Sequence, residues 1–218
     1  MKYYFIGGLG GNGYHLAPLT NELGFPVTFL DPYRELIQTE KQLRAWFQGQ
    51  IGQGEEICLL GHSLGGDLAR YLAAQFPQIH ALILLDGGYL DMEKILPLEE
   101  ELEGASSFMQ QQVFSTLEEA VLAEFGDGAD PTPIARKAVE ASYRWNPVSE
   151  QYELNLDLEK VLALLRLRRS IKADQITVAD KSVLFIGPCY QEEPEWRKEA
   201  LAKLDPKIKK VLLDGLGH

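Results

Sequence analysis

"ICLLGHSLGGDLARYL", residues 57–72, joins a short apolar run to a helical pattern through a glycine-rich turn. The apolar run ends at Leu60, and leucines recur at a spacing of four from Leu64 onward. The turn between them reads G-x-S-x-G, whose glycines let neighbouring backbone crowd a serine on a tight strand-to-helix turn. We therefore interpret Ser63 as a candidate nucleophile at a helix N-terminus, where backbone N–H dipoles favour developing negative charge.

Short apolar runs like this one alternate with helical patterns along much of the chain. The six runs are 3–7, 27–30, 57–61, 81–86, 182–187 and 210–214. Helical patterns cover 35–48, 64–76 and 194–204, and in the last one Trp196, Ala200 and Leu204 share a face that predicts core packing. The alternation predicts an α/β fold with a mostly parallel sheet of about six strands flanked by helices.

The alternation stops between Gly87 and Asp180. A crossover between parallel strands normally needs a dozen or more residues, so this span predicts an inserted helical cap over 88–179. The core is then formed by 1–87 and 180–218. The helical patterns of the cap are 106–125, 133–144 and 157–169.

The cap carries several large apolar side chains that suit an apolar acyl or alcohol group. Packing of a helical cap on a sheet requires the same residue types, so the pattern does not identify a substrate. These residues are Phe108, Met109, Phe114, Leu117 and Phe125.

Composition restricts the classes of partner. The chain has 218 residues, a hydrophobic share of 45% and a formal net charge of −11, which fits one soluble domain. This charge disfavours nucleic acid and anionic membranes as partners. The dense basic run "RLRR" at 166–169 is interpreted as a solvated helix end. We expect a small-molecule ester or thioester substrate, while the oligomeric state stays undetermined.

The two cysteines and the N-terminus bear on localisation. Cys58 and Cys189 fall in or beside predicted strands without the spacing of a metal site or a disulfide framework. We interpret them as buried, inert thiols in a reducing compartment. The sequence has neither a signal-peptide core nor an apolar segment of membrane-spanning length, so we expect a cytoplasmic protein without metal or cofactor.

A serine nucleophile needs a base, and the chain has four histidines. His62 is adjacent to Ser63, but on a sharp turn its side chain points away. His80 precedes a strand at the opposite end of the sheet, and His15 is expected in the first turn of a helix near the glycine loop. His218 remains, because it follows the last strand at the carboxyl edge of the sheet, where sites of open α/β sheets lie.

Three motifs now occur in the chain order of one family, the α/β-hydrolases, which the sequence resembles. They are "FIGGLGGNG" (5–13) for the oxyanion loop, "LLGHSLGG" (59–66) for the nucleophile elbow and "DGLGH" (214–218) for the histidine turn. The resemblance covers nearly the whole chain. It implies a serine hydrolase that cleaves a carboxylic ester or thioester through a Ser-His-Asp triad.

The sequence departs from the family pattern in two places. Gly7 replaces the usual histidine of the oxyanion loop, although the backbone N–H of Leu9 can still donate, together with that of Leu64. Family members also usually continue past the histidine into a final helix, whereas this sequence stops at His218. We therefore expect a fragment or a lost tail, with a weakly held terminal histidine, and infer no full activity from the sequence.

The resemblance implies two positions for the acid of the triad. The commoner one follows the penultimate strand and corresponds here to Tyr190, with Glu192 and Glu193 slightly later. The other is the end of the strand after the nucleophile helix, where "LILLDGG" presents Asp86. We assign Asp86, with Glu192 as the alternative, and regard Asp91 and Asp214 as weaker candidates.

Two other functions agree with parts of the sequence. Gly8, Gly10 and Gly13 spell G-x-G-x-x-G, and Asp31 follows 18 positions later, as in an NAD(P)-binding oxidoreductase. This interpretation leaves the elbow around Ser63 and the terminal histidine unexplained. The second alternative is a non-catalytic homologue that uses the cap and the sheet edge to bind a ligand or a partner.

Overall fold

The computed structural model describes residues 1–215, and its first part alternates strands with helices. Strand β1 spans Lys2–Ile6, helix α1 Gly13–Leu23, β2 Val27–Leu30, α2 Glu40–Gln50, β3 Ile57–His62, α3 Leu64–Gln75 and β4 Ile79–Leu85. Thr39 caps α2 and Asn12 caps α1, each within a capping box, which explains why these helices begin where they do.

The chain then leaves the sheet for a long segment before it returns. In this segment lie α4 (Leu98–Gln111), β5 (Val113–Phe114), α5 (Leu117–Phe125), α6 (Pro133–Ala141), β6 (Tyr143–Asn146), β7 (Gln151–Leu154) and α7 (Leu158–Ile171). The return is made by β8 (Ser182–Cys189), α8 (Glu195–Lys203) and β9 (Lys209–Asp214).

The central sheet has six strands in the order β2-β1-β3-β4-β8-β9, and every neighbouring pair is parallel. The register aligns Ile6 with Gly61, His62 with Leu85, and Leu85 with Ile186. Parallel strands end at a common edge, so the loops after β1, β3 and β4 meet at the carboxyl edge of the sheet.

Alternating side chains divide the core between the two faces of this sheet. Leu59 and Leu84 belong to a large buried cluster that also includes residues of α3 and α7. Phe5 and Leu60 point to the opposite face, where the buried cluster is much smaller and includes Leu16 of α1.

These elements confirm the α/β fold with about six strands, and they correct the helix predicted at 106–125. A turn and the short strand β5 divide that stretch into α4 and α5. The segment also contains a second, antiparallel sheet in the order β5-β7-β6, which the sequence patterns did not predict. Its strands are two to four residues long, too short to produce a periodic signal.

Candidate active site

Ser63 lies on the turn between β3 and α3 in a conformation that few L-residues adopt. Its φ is 53° and its ψ is −125°. The backbone N–H of Ser63 donates to Leu85 O at 3.1 Å, and its carbonyl accepts from the Gly66 N–H at 2.8 Å. A non-glycine residue held at positive φ stores strain, which persists only where the surrounding structure fixes it.

The glycines around Ser63 are required by close backbone contact. A Cβ atom added to Gly65 would lie 2.2 Å from Ile6 O, and one added to Gly61 would lie 2.5 Å from Gly65 O. The elbow therefore packs closely against the end of β1 and the start of α3. The G-x-S-x-G pattern predicted such close backbone contact around the serine.

One side of Ser63 is formed by the glycine loop, residues 7–12. A Cβ on Gly8 would lie 3.0 Å from the Ser63 Cβ, and the Gly11 N–H donates to Gly8 O at 3.1 Å. Leu9, the predicted oxyanion donor, lies between these glycines. Asn12 ends the loop by capping α1 and donates from Nδ2 to Ala138 O at 2.8 Å, which ties the loop to α6.

The same Asn12 amide also donates to the Ser142 hydroxyl at 2.9 Å. Ser142 Oγ lies 3.5 Å from Gly10 O and 3.0 Å from Ala138 O. The 88–179 segment therefore contacts the glycine loop directly through the C-terminal end of α6.

The other side of Ser63 is formed by the acidic loop, residues 86–89. Asp86 has a φ of 42° and is buried, and its backbone N–H donates to Ile186 O at 2.8 Å. A Cβ on Gly87 would lie 2.3 Å from Ser63 O, so this loop packs directly on the elbow. The Asp86 Oδ1 accepts from the Tyr89 hydroxyl at 3.0 Å.

Arg197 of α8 connects this loop to the end of β8. It is 1% exposed, donates to the Tyr89 hydroxyl at 2.8 Å and lies 3.3 Å from Asp86 Oδ1. It also donates to Pro188 O at 2.9 Å, pairs with Glu193 and stacks on the Tyr190 ring.

The burial of Arg197 was not predicted. The sequence pattern placed Trp196 in the core, but this side chain is 42% exposed. Helix α8 therefore buries a cation, Arg197, where the sequence predicted an apolar side chain.

Asp67, in the first turn of α3, contacts the backbone of the acidic loop. Its Oδ1 accepts from the Gly88 N–H at 3.0 Å, and Arg70 donates to Gly88 O at 2.7 Å. Asp67 is 5% exposed, and burial raises its pKa to about 6, although the nearby Arg168 opposes the shift.

Arg168 and Arg169 correct the interpretation of "RLRR" as a solvated helix end. Both side chains are largely buried and pair with Glu101 of α4, and Arg168 Nη1 also lies 3.8 Å from Asp67 Oδ2. Arg166 of the same run is exposed.

The histidines occupy different parts of the molecule. His62 and His15 line a cavity beside Ser63, and His15 Nδ1 accepts from the Asn12 N–H at 3.2 Å in the first turn of α1. His80 lies in β4, at the end opposite to the elbow. His218, the predicted base, lies outside the described residues.

The remaining acidic candidates are separated by burial. Asp86 and Ser63 line the same cavity, whereas Glu192 is exposed on the surface. Asp91 pairs with Lys94 at 2.9 Å, and Asp214 is an exposed residue of the edge strand β9.

Asp31, the predicted ribose ligand of the dinucleotide interpretation, has a structural role. Its Oδ1 accepts from the Tyr33 N–H at 3.0 Å as a helix cap. Its Oδ2 pairs with Arg34 at 2.9 Å.

Ser63 lines two cavities. The larger one, of about 770 Å³, extends from the glycine loop to the 88–179 segment. The smaller one, of about 350 Å³, contains Asp86 and Arg168 together with aromatic side chains. Both volumes fall within the range of about 300–1,000 Å³ that is typical of small-molecule sites.

Residues 1–215 contain no group of His, Cys, Asp and Glu side chains arranged to hold a metal ion. No helix described there is long and apolar enough to span a membrane. Cys58 and Cys189 are free thiols, and burial raises the pKa of Cys58 to about 11.

A serine at positive φ, between a parallel strand and its helix and at the carboxyl edge of the sheet, is the arrangement of the α/β-hydrolase class. The family model described as alpha/beta hydrolase fold matches residues 30–129. The chain therefore has the α/β-hydrolase fold, as its motifs predicted. No curated protein matches it in sequence.

Solved structures share this fold at low sequence identity. A carboxylesterase of the thaumarchaeon Nitrososphaera gargenis is 19% identical with a TM-score of 0.65, covering 100% of this chain and 83% of its own. An E-2-(acetamidomethylene)succinate hydrolase is 16% identical with a TM-score of 0.64, covering 98% and 83%. The thioesterase domain from the curacin biosynthetic pathway is 15% identical with a TM-score of 0.64, covering 98% and 84%.

Proposed function

We propose that this protein is a serine hydrolase that cleaves a carboxylic ester or thioester through an acyl-Ser63 intermediate. The observation that carries the proposal is the strained Ser63 elbow, packed between the glycine loop and the acidic loop. Such an elbow exposes a hydroxyl at a helix N-terminus, and the two adjoining cavities offer room for both halves of an ester.

In the proposed reaction, His218 accepts the proton of the Ser63 hydroxyl while Oγ attacks the acyl carbonyl carbon. The backbone N–H groups of Leu9 and Leu64 stabilise the oxyanion, and loss of one such donor typically costs about 10²–10³ in rate. His218 then gives its proton to the departing alcohol or thiol. A water molecule, deprotonated by His218, releases the carboxylic acid and regenerates Ser63.

Asp86 is proposed as the acid that orients His218. Its burial, its position at the carboxyl end of β4 and its presence in a cavity with Ser63 support this role. Tyr89 and Arg197 hold one oxygen of its carboxylate, which fixes its orientation. Glu192 is the alternative, and its exposure disfavours it.

The elbow is tested with a fluorophosphonate probe, which labels only an activated serine. We expect wild-type protein to be labelled and Ser63→Ala to be unlabelled, while Ser170→Ala, at an exposed serine of α7, is labelled like wild type. Turnover of p-nitrophenyl esters and acyl thioesters should follow the same pattern. Labelling or turnover that persists in Ser63→Ala contradicts the proposal.

The acid is tested by comparing Asp86→Asn with Glu192→Gln. Loss of the orienting carboxylate of a triad lowers kcat by about 10⁴-fold, so Asp86→Asn should show a loss of this order and Glu192→Gln almost none. The reverse result assigns the role to Glu192. A folded wild-type protein without any labelling points instead to a non-catalytic, ligand-binding homologue.

A further inference from the structure

We propose that the acyl group of the substrate is an extended, apolar chain without a negative charge, bound in the larger of the two cavities at Ser63. The inference rests on the proposed serine hydrolase function and names its substrate class. It follows from which loop lines each cavity and from the charges found there.

The two cavities divide the substrate at the scissile bond. Asp86, the acid of the proposed triad, lines the smaller cavity together with Ser63. In a triad, the group that the acid orients donates a proton to the leaving group, so we assign the leaving group to this cavity. The larger cavity, on the side of the glycine loop, is left for the acyl group.

The walls of the larger cavity suit hydrocarbon. Leu16 and Leu19 of α1, Phe29 of β2 and Leu85 of β4 line it from the core. The 88–179 segment contributes a further apolar wall, with Phe108, Val139 and Leu154. An acetyl group would leave most of the volume of about 770 Å³ unused, whereas a longer chain would remove this apolar surface from water.

The charges in the same cavity disfavour an anionic acyl group. Among the described lining residues, Glu124 is the one Asp, Glu, Lys or Arg side chain. Burial lowers the pKa of His15, which favours its neutral imidazole. A carboxylate on the acyl chain would lose its hydration without gaining a cationic partner, which is strongly unfavourable.

The smaller cavity has a different character. Arg168 and Arg197 line it together with Asp67 and Asp86, so charged groups of both signs lie there. The larger cavity, which we assign to the acyl group, should therefore select apolar groups more strongly than the smaller cavity does.

The test compares p-nitrophenyl acetate, p-nitrophenyl octanoate and the p-nitrophenyl monoester of octanedioic acid. All three release the same alcohol, and the last two have the same chain length and differ in a terminal carboxylate. We expect kcat/KM for octanoate to exceed that for acetate by about tenfold or more. The monoester should be turned over at least about tenfold more slowly than octanoate.

Two variants place the preference in the cavity. Leu19→Trp adds volume at a half-buried lining position and should lower the octanoate-to-acetate ratio of kcat/KM by about tenfold. Leu23→Trp, on the same helix but outside the lining, is the matched control and should keep the wild-type ratio. Glu124→Lys should raise turnover of the monoester relative to octanoate.

The outcomes separate this inference from the function on which it rests. Absence of fluorophosphonate labelling at Ser63 overturns the proposed function. Labelling with equal kcat/KM for acetate and octanoate, equal turnover of octanoate and the monoester, or an unchanged ratio in Leu19→Trp overturns the acyl-chain inference alone.

Discussion

The two loops that flank Ser63 are held in place by different kinds of interaction. The glycine loop, residues 7–12, packs through backbone atoms and is tied to α6 by the neutral amide of Asn12. The acidic loop, residues 86–89, is held by buried ionisable side chains: Asp67 accepts from the Gly88 N–H, and Arg197 pairs with Asp86.

This difference predicts how each loop responds to a substitution and to a change of pH. The close approach of Gly7 O to Gly65 leaves no room for a methyl group on Gly65 but does not depend on pH. The contribution of buried charges to stability depends on their protonation state and on the presence of every partner.

The largest effect is expected from Gly65→Ala, which tests the packing of the glycine loop. The new Cβ would meet Ile6 O at 2.2 Å and Gly7 O at 2.5 Å, and neither backbone atom can move alone. We expect a loss of about 5 kcal/mol or more in the free energy of unfolding, measured by urea denaturation.

Two matched variants complete this test. Gly66→Ala meets Gly87 on the acidic loop at 2.8 Å and should cost less than Gly65→Ala. Gly104→Ala, in α4 with open space around it, should be neutral or slightly stabilising. A Gly65→Ala protein as stable as Gly104→Ala would show that the loop is not packed as described.

Next in size is Arg197→Met, which removes the buried cation behind the acidic loop. Asp86 would then lose the opposite charge 3.3 Å from its Oδ1, and breaking a buried pair costs about 4 kcal/mol. Lys198→Met, one residue later and exposed, should cost less than about 0.5 kcal/mol. Equal stabilities of the two variants, measured by urea denaturation, would contradict the role of Arg197.

The pH dependence of stability tests Asp67. Its pKa is raised from 3.8 to about 6 by burial, so the folded state binds more protons than the unfolded state between these values. The Asp67 contribution to the free energy of unfolding therefore falls as the pH rises through this window, by about 3 kcal/mol in total. The difference between wild type and Asp67→Asn should show this fall when urea denaturation is repeated from pH 4 to pH 7.

Asp127→Asn, at an exposed position of the loop after α5, provides the control. The difference between wild type and this variant should stay constant over the same pH range. A constant difference for Asp67→Asn as well would mean that Asp67 keeps its ordinary pKa in the folded protein.

The smallest effect on stability is expected from Asn12→Ala, which releases the glycine loop from α6. The variant loses the cap of α1 and two donated hydrogen bonds, at a cost of about 1–2 kcal/mol. Thr116→Ala removes the cap of α5 and should cost about 1 kcal/mol. Fluorophosphonate labelling of Ser63 should be slower in Asn12→Ala than in wild type and unchanged in Thr116→Ala. Equal labelling rates in the two variants would show that the contact between the glycine loop and α6 does not affect Ser63.

The sequence predicted the sheet and the elbow because both depend on local patterns. The six apolar runs coincide with the strands of the sheet, and Ser63 lies on the predicted turn between β3 and α3. Gly61 and Gly65 indicated a tight turn, because only glycine fits where backbone segments approach so closely.

The ionic network around the acidic loop could not be predicted in this way. Arg168 pairs with Glu101 and approaches Asp67, and both partners are distant in the sequence. Arg197 looks like a solvated residue beside Trp196, yet the tertiary structure buries the arginine and exposes the tryptophan. Charged side chains carry no periodic signal that distinguishes a buried pair from a solvated one.

The long excursion between β4 and β8 has a consequence for the order of folding. These two strands are neighbours in the sheet, but all of residues 86–181 must be spanned before they can pair. Closing so long a loop is entropically costly and slow, so β1 to β4 with their short connections are expected to assemble first. Since the Asp86 N–H bonds Ile186 O, the acidic loop acquires its final form only when β8 arrives. A partly folded chain would thus contain the serine elbow before it contains a complete site.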